Sequence, residues 1–267
     1  MYNIVELFQY SFVVRALLVG TLMSICAALL GVSLVLKRYS MIGDGLSHVG
    51  FGALAVAMAL NLVPLYVAIP LTLLAAYVLL KLGECGRLKG DAAIAILSSS
   101  ALAIGIIVVS CTQGFNADVG GYLFGSILAV SKSDVYLGVG IALLVLVLYV
   151  VFYNKIFAIT FDESFARAIG VNTDRYRTLL AALTALVVVV GMRIMGAMLM
   201  SSLLVFPAIT AMRIFSTFRC TIICAATVSV VCLLAGLLGS LLFSIPTGAS
   251  IVMANLIAYA LARVVGR

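Results

Sequence analysis

Asp44 and His48 are the residues best suited to chemistry, and they lie four positions apart near the start of an apolar stretch. His48 is the only histidine of the chain. On a helix this spacing places both side chains on one face. An imidazole nitrogen with a carboxylate oxygen is a usual ligand pair for zinc, manganese or ferrous iron. The spacing by itself is weak evidence, but it is compatible with a metal site with two ligands from this chain, to which a twofold dimer would add two more.

Two other interpretations of this stretch remain open at the level of sequence. Asp44 would cap the N-terminus of a helix while His48 packs as an ordinary residue against its neighbours. Alternatively, Ser47 and His48 would act as nucleophile and base in a membrane enzyme, although adjacent helix residues do not face each other. Four glycines around the pair permit either tight helix packing or a path wall: Gly43, Gly45, Gly50 and Gly52.

A second informative stretch runs from Thr160 to Gly170. Thr160 and Glu163 fit a capping box, with Asp162 between them, and Gly170 fits a C-terminal helix stop. Three apolar residues recur every four positions: Phe161, Phe165 and Ile169. The pattern predicts a short amphipathic helix outside the bilayer. Its apolar stripe would contact the membrane surface or a groove on a cytoplasmic protein, or the helix would simply seal the loop.

The elements that position these residues follow from the composition. Of 267 residues, 65% are hydrophobic and only 9% are charged, against about a quarter charged in soluble domains. This excludes a soluble enzyme and a nucleic-acid-binding domain. Residues 1–267 are predicted to form one all-α transmembrane bundle of eight to nine spans. The apolar runs are Val13 to Leu36, Leu46 to Leu62, Val63 to Leu80, Ala92 to Cys111, Val135 to Tyr153, Leu179 to Met192, Ile194 to Met212, Thr221 to Phe243 and Gly248 to Ala262.

The span count and the orientation depend on the seventh run. Arg193 joins it to the sixth without a loop, and Pro207 interrupts it, so one of the two is a candidate for a re-entrant helix. With nine spans, one set of alternate loops holds 13 of the 16 basic residues. The positive-inside rule then places the N-terminus outside, the C-terminus inside and the loop at about 154–178 in the cytoplasm.

The sequence contains no G-x-x-x-x-G-K-[ST] phosphate loop, because the glycines at 120, 121 and 125 are not followed by lysine. No nucleotide site is therefore expected in this chain. Any work driven by ATP would be done by a separate protein, so the chain itself is not expected to be an enzyme.

Four segments carry a resemblance to a known family. They are Lys37 to His48, Tyr122 to Ser131, Phe161 to Gly170, and Leu203 to Ala211. In this order, over nearly the whole chain, they resemble the permease subunit of the bacterial ABC importers for zinc, manganese and iron. A carrier or channel that works without ATP is the alternative.

The resemblance implies a multi-pass protein of the bacterial cytoplasmic membrane that forms a homodimer around one path. It implies a cytoplasmic ATPase dimer below and an extracytoplasmic metal-binding protein above, with no nucleic-acid partner. Asp44 and His48 match the family's metal residues. The segment that would insert into the ATPase maps to Phe161, Asp162, Glu163, Phe165, Ile169 and Gly170. No cofactor would be bound permanently, since the divalent metal is cargo, and the resemblance implies transport by alternating access.

Overall fold

The computed structural model describes residues 11–84, 90–112 and 132–265. Eleven helices lie in these ranges, and no strand is assigned within them. In chain order the helices are α1 (Ser11–Leu36), α2 (Ile42–Ala59), α3 (Pro64–Glu84), α4 (Gly90–Cys111), α5 (Lys132–Val151), α6 (Tyr153–Phe161), α7 (Glu163–Ala168), α8 (Thr173–Met195), α9 (Ala197–Ile214), α10 (Phe218–Phe243) and α11 (Thr247–Val265).

Nine of the helices in the described ranges are long and apolar enough to cross a membrane, all except α6 and α7. The predicted all-α transmembrane bundle is confirmed, with the higher of the two span counts. The seventh run is not a broken helix, because α9 continues through Pro207 for 18 residues and is long and apolar enough to cross a membrane. α8 and α9 are instead separated by Gly196 alone, whose φ of 96° makes a turn that a side chain would disfavour.

Ion pairs join neighbouring elements at both ends of the bundle. At one end Lys37, after α1, lies 3.3 Å from Glu163 of α7. At the other end Arg193, in the last turn of α8, lies 3.2 Å from Asp134 in the first turn of α5. The positive-inside rule predicts that the Lys37 end is the cytoplasmic end.

The helices differ strongly in how deeply they are enclosed. The spans of α2 and α8 are 72% buried, whereas those of α4 and α5 are 17% and 22% buried. Because lipid tails are as apolar as leucine, small residues and close packing hold such helices together. At Gly31 of α1, an added Cβ would strike the backbone carbonyl of Leu204 in α9. The central helices thus approach one another backbone to backbone, and α2 is fixed among them.

Candidate metal path and coupling helix

α2 begins at Ile42, so Asp44 and His48 lie in its first two turns. Met41 is the N-cap and makes no side-chain capping bond. Ser47 donates its hydroxyl proton to the backbone carbonyl of Asp44 at 2.7 Å, within the helix. The capping interpretation of Asp44 is therefore wrong, and Ser47 is not paired with His48. The carboxylate is left available on the helix surface.

Asp44 and His48 face each other across one helical turn. The distance from His48 Nε2 to Asp44 Oδ2 is 3.6 Å, too long for a good hydrogen bond. Two ligand atoms on one tetrahedral metal, each at about 2.1 Å, are separated by about 3.4 Å. The side chain of Asp44 is 43% exposed and that of His48 is 22% exposed. The two atoms thus have the spacing of two ligands on one metal, and both side chains are exposed enough for a metal ion to reach them.

The four glycines of this stretch determine which side of α2 stays open. Side chains at Gly45 and Gly52 would collide with Ile94 and Ala101 of α4, while side chains at Gly43 and Gly50 would collide with Leu204 of α9 and Met192 of α8. At about 100° per residue, Asp44 and His48 fall on the arc between these two contact faces. Close packing on both sides therefore leaves the ligand pair facing outward from the chain.

The pair is not a complete metal site in one chain. No group of three or more His, Cys, Asp or Glu residues that could hold a metal occurs in the described ranges. In addition, His48 Nδ1 is buried and makes no hydrogen bond to any described residue. A buried polar atom without a partner costs about 1–3 kcal/mol, and a functional role, strain or a bound water or ion can each account for one in a native protein.

The loop predicted to be cytoplasmic folds as two short helices rather than one. Thr160 belongs to α6 and donates to the carbonyl of Ile156 at 2.6 Å, so the predicted capping box is wrong. Asp162 is the N-cap of α7 and accepts the N–H of Phe165 at 2.8 Å. The break at Asp162 ends α6 at Phe161 and starts a separate helix.

The C-terminal end of α7 is closed by a Schellman motif. Gly170 has a φ of 83°, as the helix stop predicts. Its N–H bonds the carbonyl of Arg167 at 3.1 Å, and that of Val171 bonds the carbonyl of Ala166 at 3.0 Å. Ala166 and Val171 also pack with Ile159 in a small apolar cluster below the helix. These contacts hold a six-residue helix that would be too short to be stable alone.

The apolar stripe predicted for this loop is exposed but divided between the two helices. Phe165 is 60% exposed and Ile169 is 57% exposed. Phe161, equally exposed, packs its ring at 4.9 Å from Phe157 and 5.6 Å from Phe218. Phe161 therefore packs partly against its own chain, whereas Phe165 and Ile169 project from the surface around α7.

Glu163 anchors α7 to two long helices. Its carboxylate lies 3.3 Å from Lys37 at the end of α1 and 3.5 Å from Arg177 of α8, with Arg167 of α7 at 3.8 Å. Arg177 also bonds Asp174 at 3.2 Å. Burial lowers the pKa of Lys37, and the neighbouring Glu163 counteracts this shift. The short helix is thus tied to the ends of two spans.

Sequence reasoning missed the partners of Glu163. Lys37 is 126 residues away in the chain, and no local pattern indicates that pair. The segment Tyr122 to Ser131, which contributed to the resemblance, lies outside the described residues. The other predicted site residues fall into two separate groups, Asp44 with His48 on α2, and the coupling residues around α7.

Known proteins resemble this chain over almost its full length. The ABC 3 transport family matches residues 9–266. The manganese transport system membrane protein MntC of Halalkalibacterium halodurans is 30% identical over 96% of this chain and 88% of its own. The high-affinity zinc uptake system membrane protein ZnuB of Haemophilus influenzae is 30% identical over 90% of this chain and 92% of its own.

A solved structure shares the fold. PsaBC from Streptococcus pneumoniae, in complex with Fab, superposes with a TM-score of 0.87 at 30% identity, covering 97% of this chain and 93% of that one. The resemblance inferred from the four sequence segments is confirmed, and so is the placement in the bacterial cytoplasmic membrane. The chain belongs to the ABC 3 transport family, as the membrane-spanning permease subunit of an ABC transport system.

Proposed function

We propose that this permease imports a divalent transition metal, zinc or manganese, with Asp44 and His48 as ligands along the path. The relatives are named for manganese and zinc transport. The observation that carries the proposal is the 3.6 Å Asp44–His48 pair, held on the open arc of α2 between two glycine contact faces. Both metals accept an imidazole nitrogen and a carboxylate oxygen.

The incompleteness of this pair supports a homodimer. Two ligands from each of two chains make the four-coordinate shell that zinc prefers. A twofold axis beside the exposed Asp44 carboxylate would bring two such pairs together, because the same surface of each copy meets in a twofold contact. One path between two copies then carries one metal at a time.

The exposed surface around α7 is the proposed docking site of the ATPase. Phe165 and Ile169 present apolar area beyond the predicted membrane surface, in the helix-in-groove arrangement. Asp162 and Gly170 fix the two ends of the helix, and Glu163 fixes its attachment to the bundle. A rigid element of this kind transmits a displacement instead of absorbing it.

The chain provides a short route from this docking site to the metal pair. Glu163 contacts Lys37, which stands seven residues before Asp44 and directly ahead of the α1–α2 turn. A shift of α7 on ATP binding by the partner would move the start of α2 together with its carboxylate. We propose that this motion alternates the access of the pair between the two membrane sides.

Metal uptake tests the proposal. Cells lacking their own importers would express the chain with its ATPase and metal-binding protein, and uptake of labelled zinc, manganese and iron would be followed. The matched control contains an ATPase that binds but cannot hydrolyse ATP. We expect uptake of zinc or manganese only with the active ATPase. Equal uptake in the control would favour the ATP-independent carrier, and no uptake of any metal would contradict the proposal.

A further inference from the structure

A cavity of about 490 Å³ opens at the cytoplasmic end of the bundle, between the end of α3 and the start of α8. Its walls carry three basic side chains and one acidic side chain: Lys81, Arg175, Arg177 and Asp174. Tyr77 and Leu80 complete the side formed by α3. The cavity therefore combines cations from both helices with apolar surface from α3.

The acidic wall residue does not neutralise this cavity. Asp174 is bonded by Arg177 at 3.2 Å and lies 3.6 Å from Arg167, outside the cavity. Among the described side chains, neither Lys81 nor Arg175 forms an ion pair; Lys81 lies 5.6 Å from the ring centre of Tyr77. Among the side chains that the structure describes, this cluster contains five cations and two carboxylates: Lys37, Lys81, Arg167, Arg175, Arg177, Glu163 and Asp174. An anion would thus complement the cluster.

An exposed apolar stripe of α3 leads into the cavity. Leu71, Leu74 and Tyr77 are 47%, 65% and 48% exposed and precede Lys81 on one helix face. All four belong to the membrane span Pro64–Lys81. An acyl chain lying on this stripe would deliver its phosphate to the cations at the end of the span.

We propose that this cavity binds the phosphate head group of an anionic phospholipid of the cytoplasmic leaflet, with Lys81 and Arg175 as its ligands. Basic pockets between membrane helices on this side are suited to such lipids, and anionic lipids attract basic residues at this membrane surface. The phosphate of such a lipid matches the cations of the cavity, and its acyl chain matches the apolar stripe of α3. This inference does not depend on the metal path.

A second cavity provides a matched control. It has about 620 Å³ and is lined by Tyr153, Asn154, Arg219 and neighbouring apolar residues of α5, α6 and α10. It contains a single cation among its described lining residues. The two cavities therefore have comparable volumes and lie at the same end of the bundle, but the described lining of the second lacks the cationic cluster.

The absence of tryptophan from the chain permits a direct test. A single tryptophan introduced as Tyr77→Trp reports on lipid beside the first cavity, and Tyr153→Trp reports on the second. The full-length protein is reconstituted in phosphatidylcholine, and quenching is measured with phosphatidylglycerol or phosphatidylcholine brominated in the upper acyl chain. We expect phosphatidylglycerol to be preferred at position 77 by roughly fivefold for each cation, and less at position 153.

Adding Lys81→Gln and Arg175→Gln should remove the preference at position 77, whereas Lys155→Gln with Arg219→Gln should leave it intact. Native mass spectrometry of the chain with Tyr77 retained provides a second measurement of lipid retention. Equal preference at the two positions, or loss with both pairs of substitutions, would overturn the proposal. Displacement by millimolar inorganic phosphate would assign a soluble anion instead. Release of the ATPase by the first pair, with quenching unchanged, would assign the cavity to that partner.

Discussion

The two proposed functional regions of this permease differ in how complete they are within one chain. Asp44 and His48 form a pair on one helix face, with a spacing suited to a metal but no third ligand within the described residues. The proposed coupling helix α7 is complete in one chain, because both of its ends are capped and Glu163 contacts three cations. The difference supports the proposals that a second copy completes the metal site and that α7 is preorganised to bind a separate protein.

Removing either ligand should have the largest effect. We expect Asp44→Ala and His48→Ala each to lower metal uptake by at least roughly 100-fold. Loss of a residue that only supports a metal ligand already lowers metal affinity or activity by up to about 100-fold, and loss of the ligand itself should cost more. Membrane levels should be unchanged, because both side chains are partly exposed. Labelled-metal uptake at matched expression measures the effect.

Ser47→Ala is the matched control for these substitutions. The Ser47 hydroxyl is buried and bonds only within α2, to the Asp44 carbonyl. We expect uptake close to that of the unsubstituted protein. Normal uptake by a protein lacking both Asp44 and His48 side chains would show that the pair is not on the path.

A charge on the docking surface should release the ATPase. Phe165→Asp places a carboxylate at an exposed apolar position, and loss of an anchor residue typically costs about 2–4 kcal/mol, or roughly 30- to 1000-fold in affinity. Co-purification of the ATPase measures the loss, while cross-linking should show the permease dimer intact. Phe243→Asp, an exposed position at the opposite membrane end, is the control and should retain the ATPase.

Glu163→Gln tests whether α7 must be tied to the bundle. Three cations would lose their charged partner, Lys37 at only 10% exposure among them. Because Glu163 itself is 32% exposed, we expect the substitution to lower the free energy of unfolding by only about 1–2 kcal/mol. The ATPase should still bind, but fewer metal ions should be imported per ATP hydrolysed. An unchanged ratio would mean that the ion pairs do not transmit the motion.

Gly170→Ala should have the smallest effect. An added Cβ meets nothing within 4 Å there, so only the φ of 83° opposes it, at a cost of about 1 kcal/mol. Hydrogen exchange in α7 should quicken by roughly fivefold. Gly140→Ala, also in open space but with no φ in the left-handed range, is the control and should not slow or quicken exchange in α7. Equal effects of the two substitutions would mean that the Schellman motif does not stabilise α7.

Sequence patterns predicted what depends on neighbouring residues. The nine spans followed from long apolar runs, and the i,i+4 spacing placed Asp44 beside His48. The capping box failed because Thr160 had a nearer acceptor within α6, the carbonyl of Ile156. The Lys37–Glu163 pair could not be predicted, since it joins positions 126 residues apart that only the packed bundle brings together.

We propose that two copies of the Asp44–His48 pair share one metal. The most direct test is the stoichiometry of zinc or manganese bound to the purified permease with its ATPase in lipid nanodiscs. We expect one metal ion for every two permease chains, and loss of that ion in His48→Ala. Two ions for every two chains, or one ion retained by His48→Ala, would contradict it.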